Sequence, residues 1–511
     1  MENNNIYACL EIGSFEIKLL VCNFREDRMY VLSEKCIPSI GIERGQITNF
    51  EKLVSRIKKI KELTEHDLKQ NLDQIMLIVP PMDTFVEPVL AKIHLDVKDP
   101  IDEKDVRRLF RQIAEQPYVE THLPVNMVPR LFRIDENHLV QNPRGISGIS
   151  LALEAIRVFA PVTIVSNLVH AVESARFKIA DIITGSISEA LSALKTPEMF
   201  MRSCHINVGH SLTTLTIIND GKVRHTHALS MGGRDITRAI ADEFGIATEI
   251  ANQLKIDFGR GNDATEAVST EKVIYIDDDK EMKFITRGML NALITSQCDR
   301  IFKMVRSYLV DTMRIREEEY HYSLSGGTAE LPNIIHILRQ NFPSAEVTLY
   351  RPSMLGIRNT KYSQLVGSAI FAHELALLVG SKGYNIEFDN PISQDSASVA
   401  KERTKIEASE LTLRDRIASS DQGEKEDRLT KPLTKQQILG GLDEIPLLGE
   451  QLIEIKDESL GEEKMKIFGE DDEQVSGSKK TDDYLDKKLE NSGVFVRFFD
   501  RIFNENEEDE K

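Results

Sequence analysis

The sequence lacks the features that would place it across a membrane, in an oxidising compartment or on nucleic acid. Nowhere do 18 apolar residues run together, so no membrane span is expected. The start, MENNNIYACLEIGS, has neither the basic n-region nor the long apolar stretch of a signal peptide. Tryptophan is absent, and the five cysteines (Cys9, Cys22, Cys36, Cys204, Cys298) are scattered, mostly inside strand-like apolar runs. That pattern suits reduced core thiols in a cytosolic protein and argues against a disulfide frame or a zinc site, and no metal centre is expected. Basic excess is lacking as well. The net charge is −18, and twelve of those charges fall in residues 391–511, so the remainder is only mildly acidic. Nucleic acid is therefore not an expected partner.

What is present is a repeated design. His205 to Gly221 reads as a short strand, a Gly-containing turn, a Thr/Ile/Leu strand and the hairpin signal Asn219-Asp220-Gly221. Leu10 to Asn23 repeats it 196 residues earlier, with Glu11 over Asn207, Gly13 over Gly209 and Lys18 over Thr214. Two such units suggest two facing lobes, each offering turn N–H groups to an anion held between them. Phosphate is the obvious candidate.

In order, strands are expected at 6–13, 17–24 and 29–37, then a helix capped by Asn49 with Phe50, Leu53, Val54, Ile57 and Ile60 on one face. A buried-type strand, Ile75–Val79, ends at Pro80-Pro81. Residues 82–161 read as a self-contained α/β segment inserted into a first lobe made of 1–81 and 162–200. Residues 201–383 form the second lobe, with helices expected near 235–244, 248–255, 294–313 and 364–378 and a Gly turn at Ser325-Gly326-Gly327. Residues 384–490 are a charged linker without sustained period, expected to be disordered. Residues 491–511 end the chain with an amphipathic helix, in which Phe495, Phe498, Phe499 and Ile502 form one stripe beside Phe503, while Arg497 and Arg501 lie on another face. With no adjacent core, that stripe suits a bilayer interface.

The ordered set resembles a known family. Leu10-Glu11-Ile12-Gly13-Ser14, Gly41-Ile42-Glu43-Arg44-Gly45-Gln46-Ile47, Asn142-Pro143-Arg144-Gly145-Ile146-Ser147-Gly148, Met231-Gly232-Gly233-Arg234-Asp235-Ile236-Thr237 and Ser325-Gly326-Gly327 are similar to the FtsA branch of the actin/Hsp70/sugar-kinase superfamily. The resemblance covers about residues 6–380. It implies a two-lobed actin-like (duplicated ribonuclease-H-like) α/β fold with an inserted subdomain, and ATP with Mg²⁺ as cofactor. It also implies self-assembly into filaments, attachment to the cytoplasmic face of the membrane at the division site, contact with other division proteins, and a grip on the C-terminal peptide of the tubulin-like FtsZ. By motif, Gly13, Ser14, Lys18 and Gly209 would hold phosphates, and Gly232 and Gly233 would lie beside them. Lys255 would approach the ribose, and Gly326, Gly327 and Thr328 the adenosine. Arg287, Arg300 and Lys303 fall in the region that receives FtsZ.

The sequence departs from the family at the second turn, which usually reads Asp-x-Gly-x-Gly-Thr-Thr-Asp. Here Asn207 and Thr214 replace both carboxylates, Ser211 replaces a glycine and Leu212 a threonine. Asn252 stands where a glutamate is usual. Carboxylates there orient hydrated Mg²⁺ or water, so hydrolysis is expected to be absent or vestigial and nucleotide binding weakened or lost, the opposing reading being that main-chain amides and Lys18 suffice to keep it. The acidic end, Glu505 to Glu510, should make membrane attachment depend on aromatic burial more than on arginine. A pilus-assembly actin relative and an Hsp70-like ATPase stand as alternative readings.

Overall fold

Two five-stranded sheets with the same internal order carry the fold. A computed structural model describes residues 5–25, 28–95, 99–135, 138–193, 202–261, 270–276 and 282–380. The linker and the terminal segment expected at 384–490 and 491–511, with Phe495, Arg497, Phe498, Phe499, Arg501, Ile502 and Phe503, lie outside the described residues.

In the first lobe β1 (Asn5–Ile12), β2 (Glu16–Arg25) and β3 (Arg28–Pro38) form an antiparallel meander. The tiny hairpin β4 (Ile42–Glu43) and β5 (Gln46–Ile47) leads to α1 (Phe50–Leu68). The Asn49 side chain accepts from the Lys52 N–H at 3.0 Å, and Leu53, Val54, Ile57 and Ile60 are buried. That is the cap and the face the periodicity predicts. β6 (Gln74–Val79) then lies parallel to β1. After the insertion come α3 (Val162–Ser174), β11 (Lys178–Thr184), parallel to β6, and α4 (Gly185–Ala193). The sheet order is β3-β2-β1-β6-β11.

The second lobe repeats this. β12 (Arg202–Val208), β13 (Thr213–Asn219) and β14 (Lys222–Leu229) form the meander, and β17 (His321–Ser325) and β18 (Glu346–Leu349) extend it in parallel. Its order is β14-β13-β12-β17-β18. Asp220 and Gly221 both have positive φ, 51° and 65°. This is the conformation a two-residue hairpin turn needs, and Asp-Gly tolerates it. Between meander and β17 lie α5 (Gly233–Phe244), α6 (Thr248–Phe258), the hairpin β15 (Lys272–Ile276) and β16 (Met282–Thr286), and α7 (Arg287–Arg306). The helix expected at 294–313 in fact starts at 287, where Thr286 accepts from the Met289 N–H, and loosens into a π-helical turn at Ser307–Thr312. α8 (Ile334–Asn341) precedes β18, and α9 (Ser363–Val379) follows it.

The insertion is β7 (Phe85–His94), α2 (Glu103–Ala114), β8 (His122–Ile134), β9 (His138–Val140) and β10 (Ser150–Pro161), an antiparallel sheet ordered β7-β10-β8-β9. Val106, Leu109, Phe110 and Ile113 of α2 are buried in the core it shares with the first lobe, whereas the second lobe has its own core. A buried joint ties β8 to β11. Asn126 Nδ2 donates to Asp181 Oδ1 at 3.1 Å and to the Ile182 carbonyl at 2.6 Å.

α9 returns the chain to the first core, where Leu365, Val366, Ala369 and Phe371 pack. By length and composition its stretch, Thr360–Val379, could cross a membrane, but it is a core helix packed on α4 and β1. Arg107 of the insertion donates from Nε and Nη2 to the Val379 carbonyl at 3.0 and 2.6 Å, capping its last turn.

Candidate functional site

The two repeated turns face each other across a cleft of about 390 Å³. Their backbones match: Gly13 N–H donates to the Glu16 carbonyl at 3.0 Å, and Gly209 N–H to the Leu212 carbonyl at 2.9 Å. A Cβ on either glycine would press on those carbonyls, at 2.9 and 3.1 Å. The strands behind the turns also correspond. Glu11 pairs with Lys18 across β1 and β2, as Asn207 pairs with Thr214 across β12 and β13.

At this shared position the lobes differ in charge. In the first, Lys18 Nζ lies 2.6 Å from Glu11 Oε1 and donates to the Lys361 carbonyl at 2.7 Å. Burial pushes the Glu11 carboxyl up, partly offset by Lys18. In the second, both partners are neutral. Asn207 Nδ2 donates to Glu189 Oε1, which fixes the amide and leaves Asn207 Oδ1 toward Gly326. Glu189 is 1% exposed and also accepts from Ser325 Oγ at 2.7 Å and from Ser363 Oγ, with His205 Nε2 at 3.7 Å. Burial opposes its charge, but His205 and the two hydroxyls outweigh that and hold the carboxyl below its ordinary value.

Of the residues expected at a nucleotide, Gly13, Ser14, Lys18, Gly209, Gly233, Lys255, Gly326, Gly327 and Thr328 all line this one cleft. Gly232 is not among its lining residues. Its N–H donates to Asp235 Oδ2 at 2.8 Å, and a Cβ there would lie 2.7 Å from the Gly209 and His210 carbonyls, so it serves the packing of α5 onto the turn. Lys255 is buried, donating to the Gly233 carbonyl at 3.0 Å and Thr237 Oγ1 at 2.7 Å, and burial pushes its pKa down to about 8. Thr328 Oγ1 donates to the Gly209 carbonyl at 3.1 Å, joining the third Gly turn to the second.

Gly326 has φ +93°, and a Cβ would sit 2.6 Å from Asn207 Oδ1 and from the Val208 carbonyl. Gly326→Ala should therefore cost about 2–4 kcal/mol, through strain at positive φ together with that clash. A lowered thermal midpoint checks it, and an unchanged one would contradict the geometry.

Other cleft residues were not legible in the sequence. Lys361 Nζ pairs with Glu16 at 3.1 Å and lies 3.5 Å from Cys36 Sγ. Glu330, on the same wall, pairs with Arg351 at 3.0 Å and accepts from the Thr360 N–H at 2.8 Å. These contacts span 21 to 345 residues of chain, beyond any local signal.

The chemistry of the donor set suits a phosphate better than a magnesium ion. Glycine turns with a lysine behind them cradle anions. Mg²⁺ needs near-octahedral oxygen ligands, with one or two carboxylates among them. Here Glu11 Oε1 is tied to Lys18 while its buried Oε2 has no hydrogen-bond partner among the described residues, Glu16 pairs with Lys361, Glu189 accepts from its hydroxyls and amide, and the second turn is neutral, so the first turn alone offers a carboxylate oxygen. Among the described residues no group of three or more acidic, histidine or cysteine side chains is placed to hold a metal ion by itself.

Arg287, Arg300 and Lys303 all lie on α7 but not together. Arg300 and Lys303 are neighbours on one face, with Lys303 held by Asp299 at 2.7 Å. Arg287 stands about 20 Å away along the axis and pairs with Glu271 at 3.0 Å.

Two lobes of identical strand order, facing glycine turns and an intervening cleft define an actin-like protein. The family model for cell division protein FtsA matches residues 204–367, and that for the SHS2 domain inserted in FtsA matches 87–159. Cell division protein FtsA of Streptococcus pneumoniae is 24% identical over 77% of this chain and 87% of its own. That of Bacillus subtilis is 25% identical over 75% and 87%. The PilM-PilN type IV pilus biogenesis complex superposes at a TM-score of 0.48 with 13% identity, over 72% of this chain and 98% of the other, too loosely to add to the strand order. The two family models and these relatives support a divergent FtsA, an actin-like cell-division protein.

Proposed function

We propose that this protein is a membrane-tethered scaffold that holds FtsZ filaments at the cytoplasmic face of the division site, with its cleft serving as a binding site and not as a catalytic centre. The neutral Asn207–Thr214 pair carries the second half of this reading. A hydrolytic water or hydrated metal needs an anionic partner there, and the nearby Glu189 lies behind Asn207, its Oε1 already accepting from the Asn207 amide and two hydroxyls. Lys18, Gly13, Ser14 and Gly209 hold the phosphates of an adenine nucleotide, whose bound form stabilises one setting of the lobes.

Tethering rests on the terminal stripe of Phe495, Phe498, Phe499, Ile502 and Phe503, with Arg497 and Arg501 beside it. The charged linker before it lets the folded body reach filaments away from the bilayer. Arg300 and Lys303 of α7 are the basic contacts offered to the C-terminal peptide of FtsZ, and copies of the chain associate with one another and with other division proteins.

A tagged copy should form a mid-cell band that disperses when residues 493–511 are removed. Phe498→Glu should abolish co-sedimentation with anionic liposomes, since it places a charge in the apolar stripe. Diffuse signal from the full chain, or liposome binding unchanged by Phe498→Glu, would overturn the tethering role. Titration with Mg·ATP tests the cleft, where measurable turnover would overturn the non-catalytic reading.

A further inference from the structure

An aromatic pair stands between the two turns. The Phe15 ring of the first turn stacks on the His210 ring of the second, with centroids 4.9 Å apart and planes at 29°. Both residues line the cleft. Beside them Arg234, at the start of α5, pairs with Glu43 of β4, so the lobes touch twice at this end of the cleft. The rings thus stand between the two turns, on the path an anion would take to reach both.

His210 itself adds no positive charge to that space. His210 is neutral, its pKa pushed down to about 4 by burial and by the Lys255 and Arg234 cations. The Lys18 charge is balanced by Glu11 at 2.6 Å, and Asn207 and Thr214 carry none. A triphosphate brings more negative charge than a diphosphate and commonly relies on a metal ion to offset it, and here only the first turn offers a carboxylate oxygen, Glu11 Oε2, toward one.

We propose that the Phe15–His210 stack makes this cleft a nucleoside-diphosphate site, in which the stack closes off the position of a third phosphate. The proposal rests on the nucleotide reading above and names the ligand class within it. Phe15 and His210 are then specificity-determining residues: the room for a third phosphate exists only when their rings separate.

Calorimetric titration of the full chain with ADP and with ATP, each in Mg²⁺ and in EDTA, tests this. The expected result is ADP binding at least about tenfold tighter than ATP, the scale of one broken aromatic contact together with uncompensated charge. The ADP constant should change less than about twofold on removing Mg²⁺. Phe15→Ser, at a position 39% exposed and so compatible with folding, should narrow the gap to about twofold by improving ATP, and His210→Ala should do the same. ATP binding as tightly as ADP to the unaltered chain would overturn the proposal. A gap that persists in both variants would also overturn it, because the stack would not be its cause. Absence of binding by either nucleotide at millimolar concentration would remove the nucleotide reading itself, a result distinguishable from the other two.

Discussion

Asp181→Asn should stabilise the protein, and the gain should grow with pH. Asp181 is 5% exposed at the joint between β11 and the insertion's β8, and burial pushes its carboxyl up to about 7. The bonds from the Ile182 N–H at 2.7 Å and from Asn126 Nδ2 at 3.1 Å work the other way but do not cancel the burial. The unfolded chain ionises this group near its ordinary value of 3.8. Between that pH and about 7 the folded state therefore holds a proton the unfolded state has lost. Stability then falls as pH rises through this window, and levels off above it. Asparagine keeps the accepting Oδ1 and removes the charge. Near pH 3.5 the variant and the parent should melt together, while at pH 8 the variant should be more stable by about 2–4 kcal/mol. Thermal midpoints across pH 3.5–8 measure it. A gain independent of pH would show that the buried charge is not its cause, and a loss at pH 8 would show that the joint needs the carboxylate ionised.

Glu189→Leu should act in the opposite direction and more severely. Both carboxylates are buried, but Glu189 gathers the Asn207 amide, the Ser325 and Ser363 hydroxyls and the His205 ring, which keep it charged. Leucine would leave all four groups facing an apolar surface. Breaking a buried charged cluster from one side costs about 3–5 kcal/mol. For a folded body of this size that corresponds to a fall in midpoint of roughly 4–7 °C. Glu189→Gln should recover part of the loss, because its carbonyl still accepts from the hydroxyls. The pH sign is also distinct. With its folded pKa below the ordinary 4.5, Glu189 contributes stability above that value, lost as pH falls through the lower folded value. The parent should show this acid limb, and Glu189→Gln should not. A leucine variant melting within about 2 °C of the parent would mean that the cluster does not hold the cleft floor.

The two carboxylates also show where sequence reasoning stops. Nothing around Asp181 or Glu189 separates them in the amino-acid order, since both follow apolar or small residues at the end of the first lobe. Their opposite behaviour comes from partners up to 174 residues away. α4 itself was missed: Gly185, Ser186 and Ser188 are poor helix formers, and the helix is sustained by burial against α9. The start of α7 was misplaced because Gly288 and Asn291 interrupt the apolar pattern, although both are buried there.

The sequence alone determined the paired hairpins, the glycine turns, the capped helix at Asn49 and the loss of charge at positions 207 and 214. Each depends on residues a few positions apart, where backbone sterics and hydrogen bonding leave little choice. Only the tertiary structure decided that Glu11 holds Lys18, that Glu189 stands behind Asn207, and that Phe15 meets His210 between the lobes. Those contacts join segments brought together by packing of the two sheets and α9, and burial then sets which charges persist.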